Sequence, residues 1–486
     1  MRRAGWKVGW VVCVVLGGMG TASRARAQGE GVPLSLEEVL GSTREHHPRM
    51  EAAQRDVAAA EAELLAARGG FDPLVRARGL AIPFGYYQHE RIEATVEQPT
   101  PLWGLRLSAG YRLGQGDFPV YYGQYETLSA GEVHAGLALP LWRDGAIDKR
   151  RAVLAQARLR QRIAAFELAG ERLGLQRQAA YHYWDWVAAG RQLTIATSQY
   201  ELALARRTQL AHRVTAGDIP QIEHTENERV LLGRDADRIA ARRALERATL
   251  KLSLFLRDAR GEPQVVSTAR LPSGFPVPAA LMEEGLERWL EQALRRRPEL
   301  RGLDLRREVL EVDVALARNL AAPAVDLGLR VARDVGVGPA NLRPTEVQGS
   351  LVLDIPLFAR EARGQRRAAE AKQAAVAARA RYAREEIITE VRDALSALRA
   401  SHERVGLAHG AAEVARQLAR AEYTRFEHGD TSLLVVNQRE QAAVEAEIGE
   451  VRALVDYQRA LVDLLAATVA LEPSAEELQD NGPRGP

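Results

Sequence analysis

The sequence contains one cysteine, Cys13, which lies in an apolar run at the N-terminus. The rest of the chain can therefore hold no disulfide, no thiolate nucleophile and no thiolate-bound metal. After residue 27 no apolar run approaches the roughly 20 residues that a membrane-spanning helix needs. If this chain crosses a membrane, we expect it to do so as strands.

The motifs of the common enzyme classes are also missing. There is no glycine-rich phosphate loop, no G-x-S-x-G nucleophile turn and no HExxH metal motif. The ten histidines are scattered, and His402 and His409, which are seven residues apart, have no accompanying carboxylate pattern. A formal charge of +2 gives no reason to expect nucleic acid as a partner. We predict no enzymatic activity, no cofactor and no metal.

The N-terminus has the pattern of a secretory signal. Arg2, Arg3 and Lys7 precede the apolar residues 8–20, and Ala25-Arg26-Ala27 forms an A-x-A cleavage site. Cleavage before Gln28 would remove five basic residues and Cys13, leaving 61 basic and 64 acidic residues. The exported chain would then have no cysteine for a lipid anchor. The alternative is an uncleaved anchor helix.

The remaining chain is written twice. Four pairs of landmarks recur in the same order: Leu36–Leu40 and Leu286–Leu290, Pro73 and Pro323, residues 137–145 and 353–361, and Gly217 and Gly429. Their offset is 250 at the first two pairs, 216 at the third and 212 at the last. The first half therefore carries 34 extra residues between its proline and its long helix. Ordered landmarks of this kind indicate an internal duplication.

Strands are predicted in the middle of each half. Residues 324–332 and 347–356 alternate apolar and polar side chains, as do 74–82, 105–113 and 134–141. Each run has the length of a transmembrane strand. Residues 84–142 also hold ten of the 27 aromatic residues, which fits a girdle at a bilayer interface. The extra 34 residues are either a second hairpin or an external loop, and a half-buried soluble sheet is the alternative for the whole region.

Long helices follow the strands. No proline occurs from Ala146 to about Thr215 or from Glu361 to about Phe426, so each stretch could form a rod of about 100 Å. After Gly429, two apolar stripes at steps of three and four predict a helix with neighbours on both sides. Gly217 and Gly429 are expected to end the long helices, and Asp218 and Asp430 to cap the returning ones. Both turns then lie at the same end of the rod.

The domain prediction follows from these elements. Residues 1–27 are the signal peptide, and residues 28–257 are the first repeat, with strands within 74–141, a long helix at 145–215, a tip turn at 216–219 and a helix at 220–257. A linker at 258–280 leads to the second repeat at 281–471, with helices at 281–319, strands at 324–356, a long helix at 361–427, a tip turn at 428–431 and a helix at 432–471. Residues 472–486 are a polar tail that we predict to be disordered.

In these features the chain resembles the TolC family of outer-membrane efflux proteins. The resemblance rests on the paired proline-ended helices, on "LALPLWRDG" and "LDIPLFARE" before the long helices, and on "AGDIPQIEHTENE" and "HGDTSLLVVNQRE" at the tips. It covers about residues 34–471. It implies a mostly α-helical fold with a membrane β-barrel portion: a duplicated long-helix α-barrel in the periplasm and a β-barrel completed by a homotrimer in the outer membrane of a Gram-negative cell.

The resemblance also implies a function and its partners. Members are passive ducts of tripartite efflux or type I secretion systems, and they dock on a periplasmic adaptor and an inner-membrane pump. The alternative is a soluble periplasmic coiled-coil structural or adaptor protein. Because few strands per chain cannot close a barrel, and lipid does not tolerate open sheet edges, copies of the same chain would have to complete it.

Site residues are carried over from the family by position. The aperture positions, six and nine residues beyond each tip glycine, are Glu223, Glu226, Val435 and Gln438, and Arg425 is a nearby residue that could pair with Glu223. The second tip therefore lacks the acidic residues of some members, and Phe426 and Thr431 replace the tyrosine and arginine of a known latch. The alternative for the glutamates is a solvated helix surface. The expected adaptor-docking turns are Ala216-Gly217-Asp218 and His428-Gly429-Asp430.

Overall fold

A computed structural model describes residues 31–119, 125–278 and 285–471. The predicted signal peptide, the polar tail after residue 471, and Tyr121 and Tyr122 of the aromatic group lie outside the described residues.

The described chain alternates helices and strands in two matching halves. The helices are α1 (Leu36–His46), α2 (Pro48–Arg68), α3 (Lys149–Ala216), α4 (Gln221–Leu252), α5 (Leu286–Arg296), α6 (Pro298–Leu320), α7 (Arg360–Glu427) and α8 (Leu433–Ala467). The strands are β1 (Leu74–Ile82), β2 (His89–Pro99), β3 (Arg106–Gly116), β4 (Glu132–Pro140), β5 (Ala324–Asp334) and β6 (Glu346–Asp354). The two long helices, α3 and α7, have 68 residues each, or about 100 Å.

Local sequence explains where these helices begin and end. Pro48 and Pro298 occupy the first turn of α2 and α6, where proline loses no hydrogen bond. The Asp148 carboxylate caps α3 by accepting from the backbone N–H of Arg151 at 2.9 Å. The returning helices end earlier than their predicted limits of 257 and 471, at Leu252 and Ala467. In the part of the chain that the structure describes, no helix is long and apolar enough to cross a membrane.

The helices lie side by side in four columns. The helix α3 packs along one flank against α2 and α4, and along the other against α6 and α8; α7 packs on the far side of α6 and α8. Leu64 of α2 contacts Ala157 near the start of α3, and Asn227 of α4 donates to the Ala203 carbonyl far along it. The first column is therefore α2 followed by α4, and the third is α6 followed by α8. The predicted neighbours on both sides of the last helix are present, since α8 contacts both α3 and α7.

All six strands form one antiparallel sheet in the order β1-β2-β3-β4-β5-β6. The 34 extra residues of the first half thus form two additional strands, β2 and β3. These lie between β1 and β4, the strands that correspond to β5 and β6 of the second half. Only β1 and β6 have a free edge within the described chain. The loops after β1, β3 and β5 lie at the end of the sheet away from the helices, which we call the outer end.

The two faces of the sheet differ in polarity. The register places Ile92, Leu107, Leu137, Leu329 and Leu351 on one face together with Val75 of β1, whereas Leu74, Leu80 and Ile82 of β1 lie on the other face. The opposite face carries charged and hydroxyl side chains: Arg76, Arg91, Glu93, Thr95, Glu97, Arg106, Ser108, Arg112, Glu132, His134, Arg330, Gln348 and Ser350. We call these the apolar face and the polar face. Most large side chains of the apolar face are exposed, including Val75, Ile92, Val133, Val347 and Leu351.

Exposed aromatic residues flank the sheet at both ends. Phe84 and Tyr86 lie in the loop after β1, at the outer end, and both are almost fully exposed. Trp103, Trp142 and Phe358 lie at the end next to the helices and are more than half exposed. An exposed apolar band bounded by aromatic residues on both sides is the pattern of a sheet that faces lipid.

Candidate functional site at the helical tips

Each of the two helical hairpins turns at a glycine whose backbone conformation favours glycine over other residues. Gly217 and Gly429 have φ values of +79° and +84°, in the left-handed region that glycine adopts without cost. After Gly217 the chain makes a capping turn in which the Asp218 N–H donates to the Arg213 carbonyl at 2.9 Å. The Asp430 N–H makes the matching bond to the Arg425 carbonyl, also at 2.9 Å. Both predicted turns are thus C-terminal caps of the long helices.

The predicted helix caps by Asp218 and Asp430 are wrong. The residues that precede α4 and α8 are Pro220 and Ser432, and neither provides a side-chain cap. The physical reason is that the two Gly-Asp pairs are occupied in ending α3 and α7 through their backbone N–H groups. The chain needs further residues to reverse direction before the next helix can begin.

The two turns lie together at one end of the molecule. Leu210, Phe426, Leu433 and Val436 form a small buried cluster, and Ile219 of the first turn packs against it. This cluster joins α3, α7 and α8, so the two hairpins share a core at their tips. Within the described residues the tips lie farthest from the sheet, because α3 and α7 run their full length between the sheet and the tips.

A buried ionic network lies next to this apolar cluster. The Glu440 carboxylate of α8 accepts hydrogen bonds from Arg206 of α3 and Arg234 of α4, and all three side chains are buried. Arg206 also donates to the Asn437 side chain at 3.2 Å, and its guanidinium lies 5.3 Å from the centre of the Tyr423 ring. Glu440 therefore ties together three helices from both hairpins, and we call this group the Glu440 network.

The predicted aperture residues occupy the first two turns of the returning helices. Glu223 and Glu226 lie one turn apart on α4 and are partly exposed, while Val435 and Gln438 occupy the corresponding turns of α8. Arg425, in the last turn of α7, pairs with Glu422 at 3.3 Å. Among the described residues no ion pair joins Arg425 to Glu223, so the suggested pair is not formed within one chain.

The two glutamates differ in their electrostatic surroundings. Glu226 accepts from both Nε and Nη2 of Arg229, at 3.0 and 2.6 Å. The hydrogen bond from Arg229 lowers the pKa of the Glu226 carboxyl and stabilises its charged form. Glu223 has no ion-pair partner within the described part of the chain. Of the two carboxylates, Glu223 therefore contributes the uncompensated negative charge at the tip.

Comparison with known proteins supports an efflux-channel fold. Residues 289–469 match the model of the family described as outer membrane efflux protein. No curated protein sequence matches the chain.

Solved structures match over nearly the whole length. The outer-membrane channel OprN superposes with a TM-score of 0.62 at 18% identity, covering 89% of each chain. The CmeC outer membrane channel of Campylobacter jejuni gives a TM-score of 0.64 at 12% identity, covering 98% of this chain and 97% of its own. The MtrE channel of Neisseria gonorrhoeae, solved in an open state, gives 0.62 at 16% identity, covering 89% and 88%.

These matches agree with the sequence prediction of a duplicated, mostly helical chain with a β portion, and that prediction is confirmed. At these identities the superpositions establish the fold only. The family model adds a sequence match, which is confined to the second half of the chain. Residues 289–469 therefore match the outer membrane efflux protein family, and the described chain as a whole has the TolC-like fold that its sequence resembles.

Proposed function

We propose that three copies of this chain form a channel in the outer membrane, acting as a passive duct in a tripartite efflux or type I secretion system. The sheet spans the outer membrane and the helices extend through the periplasm. The tips dock on a periplasmic adaptor, and an inner-membrane pump supplies the energy. The sequence agrees with this division of labour, because it contains no nucleotide-binding motif.

The observation that carries the proposal is that the chain is a slab with two free sides. The sheet has unpaired edges at β1 and β6, and the helical columns end at α2 and α4 on one side and at α7 on the other. Unpaired strand edges are not tolerated in lipid, so a further copy must pair with each edge. A closed ring of identical copies satisfies both edges at once.

The helices at the two sides of the slab, α4 and α7, carry exposed apolar residues that could pack against a further copy. Leu232, Ile239 and Leu250 of α4 are exposed at spacings of seven and eleven, which places them on one stripe. Leu407, Val414 and Leu418 form a similar exposed stripe on α7. Apolar stripes on both flanks of the slab are explained if α7 of one copy packs against α4 of the next.

The alternative of a soluble periplasmic coiled-coil protein leaves the sheet unexplained. In a sheet that contacts water on both faces, each face would be expected to carry polar or charged residues, or to be covered by other parts of the protein. Here the large residues of the apolar face are exposed along all six strands, while charged residues fill the other face. This arrangement suits lipid on one side and an aqueous lumen on the other.

Membrane fractionation and electrophoresis test the proposal. We expect the mature protein to be extracted from outer membranes only with detergent, to migrate as a trimer without heating, and to migrate as a monomer after boiling. Incorporated into planar bilayers, the trimer should conduct ions. Recovery of a monomer from the periplasm without detergent would contradict the proposal.

The aperture assignment gives a separate expectation. If Glu223 lines the closed tip, Glu223→Gln should change the single-channel conductance and reduce the preference for cations, because it removes one uncompensated negative charge per copy. Glu226→Gln should have a smaller effect, since Arg229 already balances that carboxylate. Unchanged conductance and efflux in a variant that combines Glu223→Gln with Glu226→Gln would refute a role for either glutamate at the aperture.

A further inference from the structure

Two short stretches at the outer end of the sheet fold back over its polar face. They are Asp117–Pro119 and Tyr125–Ala130, both in the connection between β3 and β4, and we call them the inner stretches. The Thr127 N–H donates to the Gly114 carbonyl at 3.0 Å, and the Gly114 N–H donates to the Thr127 hydroxyl at 3.1 Å. A Cβ atom at Gly114 would lie 1.9 Å from the Tyr125 carbonyl oxygen. Because Gly114 is on the polar face, the chain lies directly on that face.

Aromatic rings hold the inner stretches in place. The Phe118 ring packs on the His89 ring with 4.5 Å between centroids, and the Arg91 guanidinium lies 4.1 Å from the centre of the Tyr125 ring. His89 and Arg91 both belong to the polar face of β2. The additional strands β2 and β3 of the first repeat therefore provide the surface on which the inner stretches rest.

Further contacts tie the inner stretches to the neighbouring loop. The Leu128 N–H donates to the Asp334 carboxylate at 3.1 Å, and the Ser129 N–H donates to the Val337 carbonyl, also at 3.1 Å. Thr127 and Leu128 are buried, although they lie in a connection at the end of the sheet. At the outer end of the sheet, the inner stretches are thus fixed on one side to β2 and β3, and on the other to the last residue of β5 and the loop that follows it.

Beneath them the polar face carries a buried charge cluster. The Glu132 carboxylate accepts from Arg112 and, at 2.7 Å, from Arg330, and His134 lies 3.3 Å from it. Arg112, Glu132 and His134 are all buried, whereas Ser350 on the same face is exposed. Because separating buried, paired charges is costly, this cluster is expected to hold the polar face rigid beneath the inner stretches.

We propose that the inner stretches form a constriction that sets the size limit for solutes at the outer mouth of the channel. This rests on the proposed function. Six strands per chain bring eighteen to a trimer, and barrels of 16–18 strands leave an open aqueous channel. The inner stretches of three copies project from the polar face into it, so they admit small or extended solutes and exclude folded polypeptides.

Cysteine labelling on intact cells tests the proposal, because the only cysteine, Cys13, lies in the predicted signal peptide. Ser108→Cys places a thiol on the polar face, on the helix side of the inner stretches. Val337→Cys places one on the exposed loop at the outer end. A small charged thiosulfonate and a maleimide carrying a polyethylene glycol of a few kilodaltons are added from outside. The small reagent should label both positions, and the large reagent only Val337→Cys.

Widening the constriction should remove this difference. In the background of Phe118→Ala with Tyr125→Ala, the large reagent should label Ser108→Cys at least several-fold faster than in the parent. Tyr125→Phe, which keeps the ring, should behave as the parent does. Phe84→Ala with Tyr86→Ala is the matched control, because it removes two almost fully exposed aromatic rings at the same end of the sheet that do not belong to the inner stretches. This control should leave the size limit unchanged.

The outcomes separate the two proposals. If neither reagent labels Val337→Cys, the outer end does not face the outside and the channel assignment itself fails. If Val337→Cys is labelled but the large reagent reaches Ser108→Cys equally fast in the parent, the constriction is refuted. Failure of the small reagent to reach Ser108→Cys also refutes it. Should the double variant not assemble, the size comparison in the parent still decides.

Discussion

Leu329→Arg is expected to prevent the assembled channel from remaining in the membrane. Leu329 lies in the middle of β5 on the apolar face, opposite Leu137 and Gly349, and its side chain is 42% exposed in the single chain. An arginine at the midplane of a membrane strand costs about 2–4 kcal/mol. Three copies would carry that cost three times, which is comparable to the total stability of a typical domain.

The measurement compares how much of the proposed trimer each of two variants, Leu329→Arg and a matched control, yields in outer-membrane fractions. Ser350→Arg adds the same charge on the polar face of β6, where Gly328 leaves space beside it. We expect Ser350→Arg to fractionate as the parent does, and Leu329→Arg to be lost from the membrane or degraded. Equal yields of the two variants would show that the apolar face does not contact lipid.

Glu440→Gln is expected to open the helical tips locally. The substitution leaves Arg206 and Arg234 buried without a carboxylate, and breaking a buried ion pair by removing one partner costs about 3–5 kcal/mol. Local opening would therefore become more frequent by about a hundredfold or more, since each 1.4 kcal/mol is a factor of ten. Hydrogen exchange read by mass spectrometry should show faster exchange in α4 and α8 near the tips, with the sheet unchanged.

Two further variants identify the cause. Replacing Glu440, Arg206 and Arg234 together by leucine removes the charges as well as the pair, and we expect it to recover much of the lost protection. Glu445→Gln is a control, because Glu445 lies on α8 outside the network and is contacted by Gln441 at 3.0 Å. Unchanged exchange at the tips of Glu440→Gln would show that the network does not hold the hairpins together.

Much of the fold could be predicted because the landmarks are local. Pro48 and Pro298, which open α2 and α6, and the glycines at 217 and 429 fix the chain direction at single positions, and their order recurs in both halves. The residues between β1 and β4 were ambiguous for a physical reason. Alternation at 105–113 fits a strand and also an external loop, and only the pairing of β3 with β2 and β4 decides between them.

The Glu440 network was missed because a charged residue in a helix is normally solvated. A signal was nevertheless present in the sequence. Leu433, Val436, Glu440 and Ala443 follow steps of three and four, so Glu440 occupies a position on a stripe whose other members are apolar and buried. Arg206 has the same relation to Ala203 and Leu210 on α3. Opposite charges on two such stripes indicate a buried pair.

The additional strands β2 and β3 also bring the width of the sheet close to the width of the helical columns. Six strands spaced about 4.8 Å apart and tilted by about 40° occupy an arc of roughly 38 Å. Four helical columns spaced about 9 Å apart occupy roughly 36 Å. With only the four strands common to both repeats, the sheet would cover about two thirds of that arc. In the proposed trimer, the extra pair of strands therefore lets the channel wall pass from helices to sheet at nearly constant circumference, without a taper at the junction.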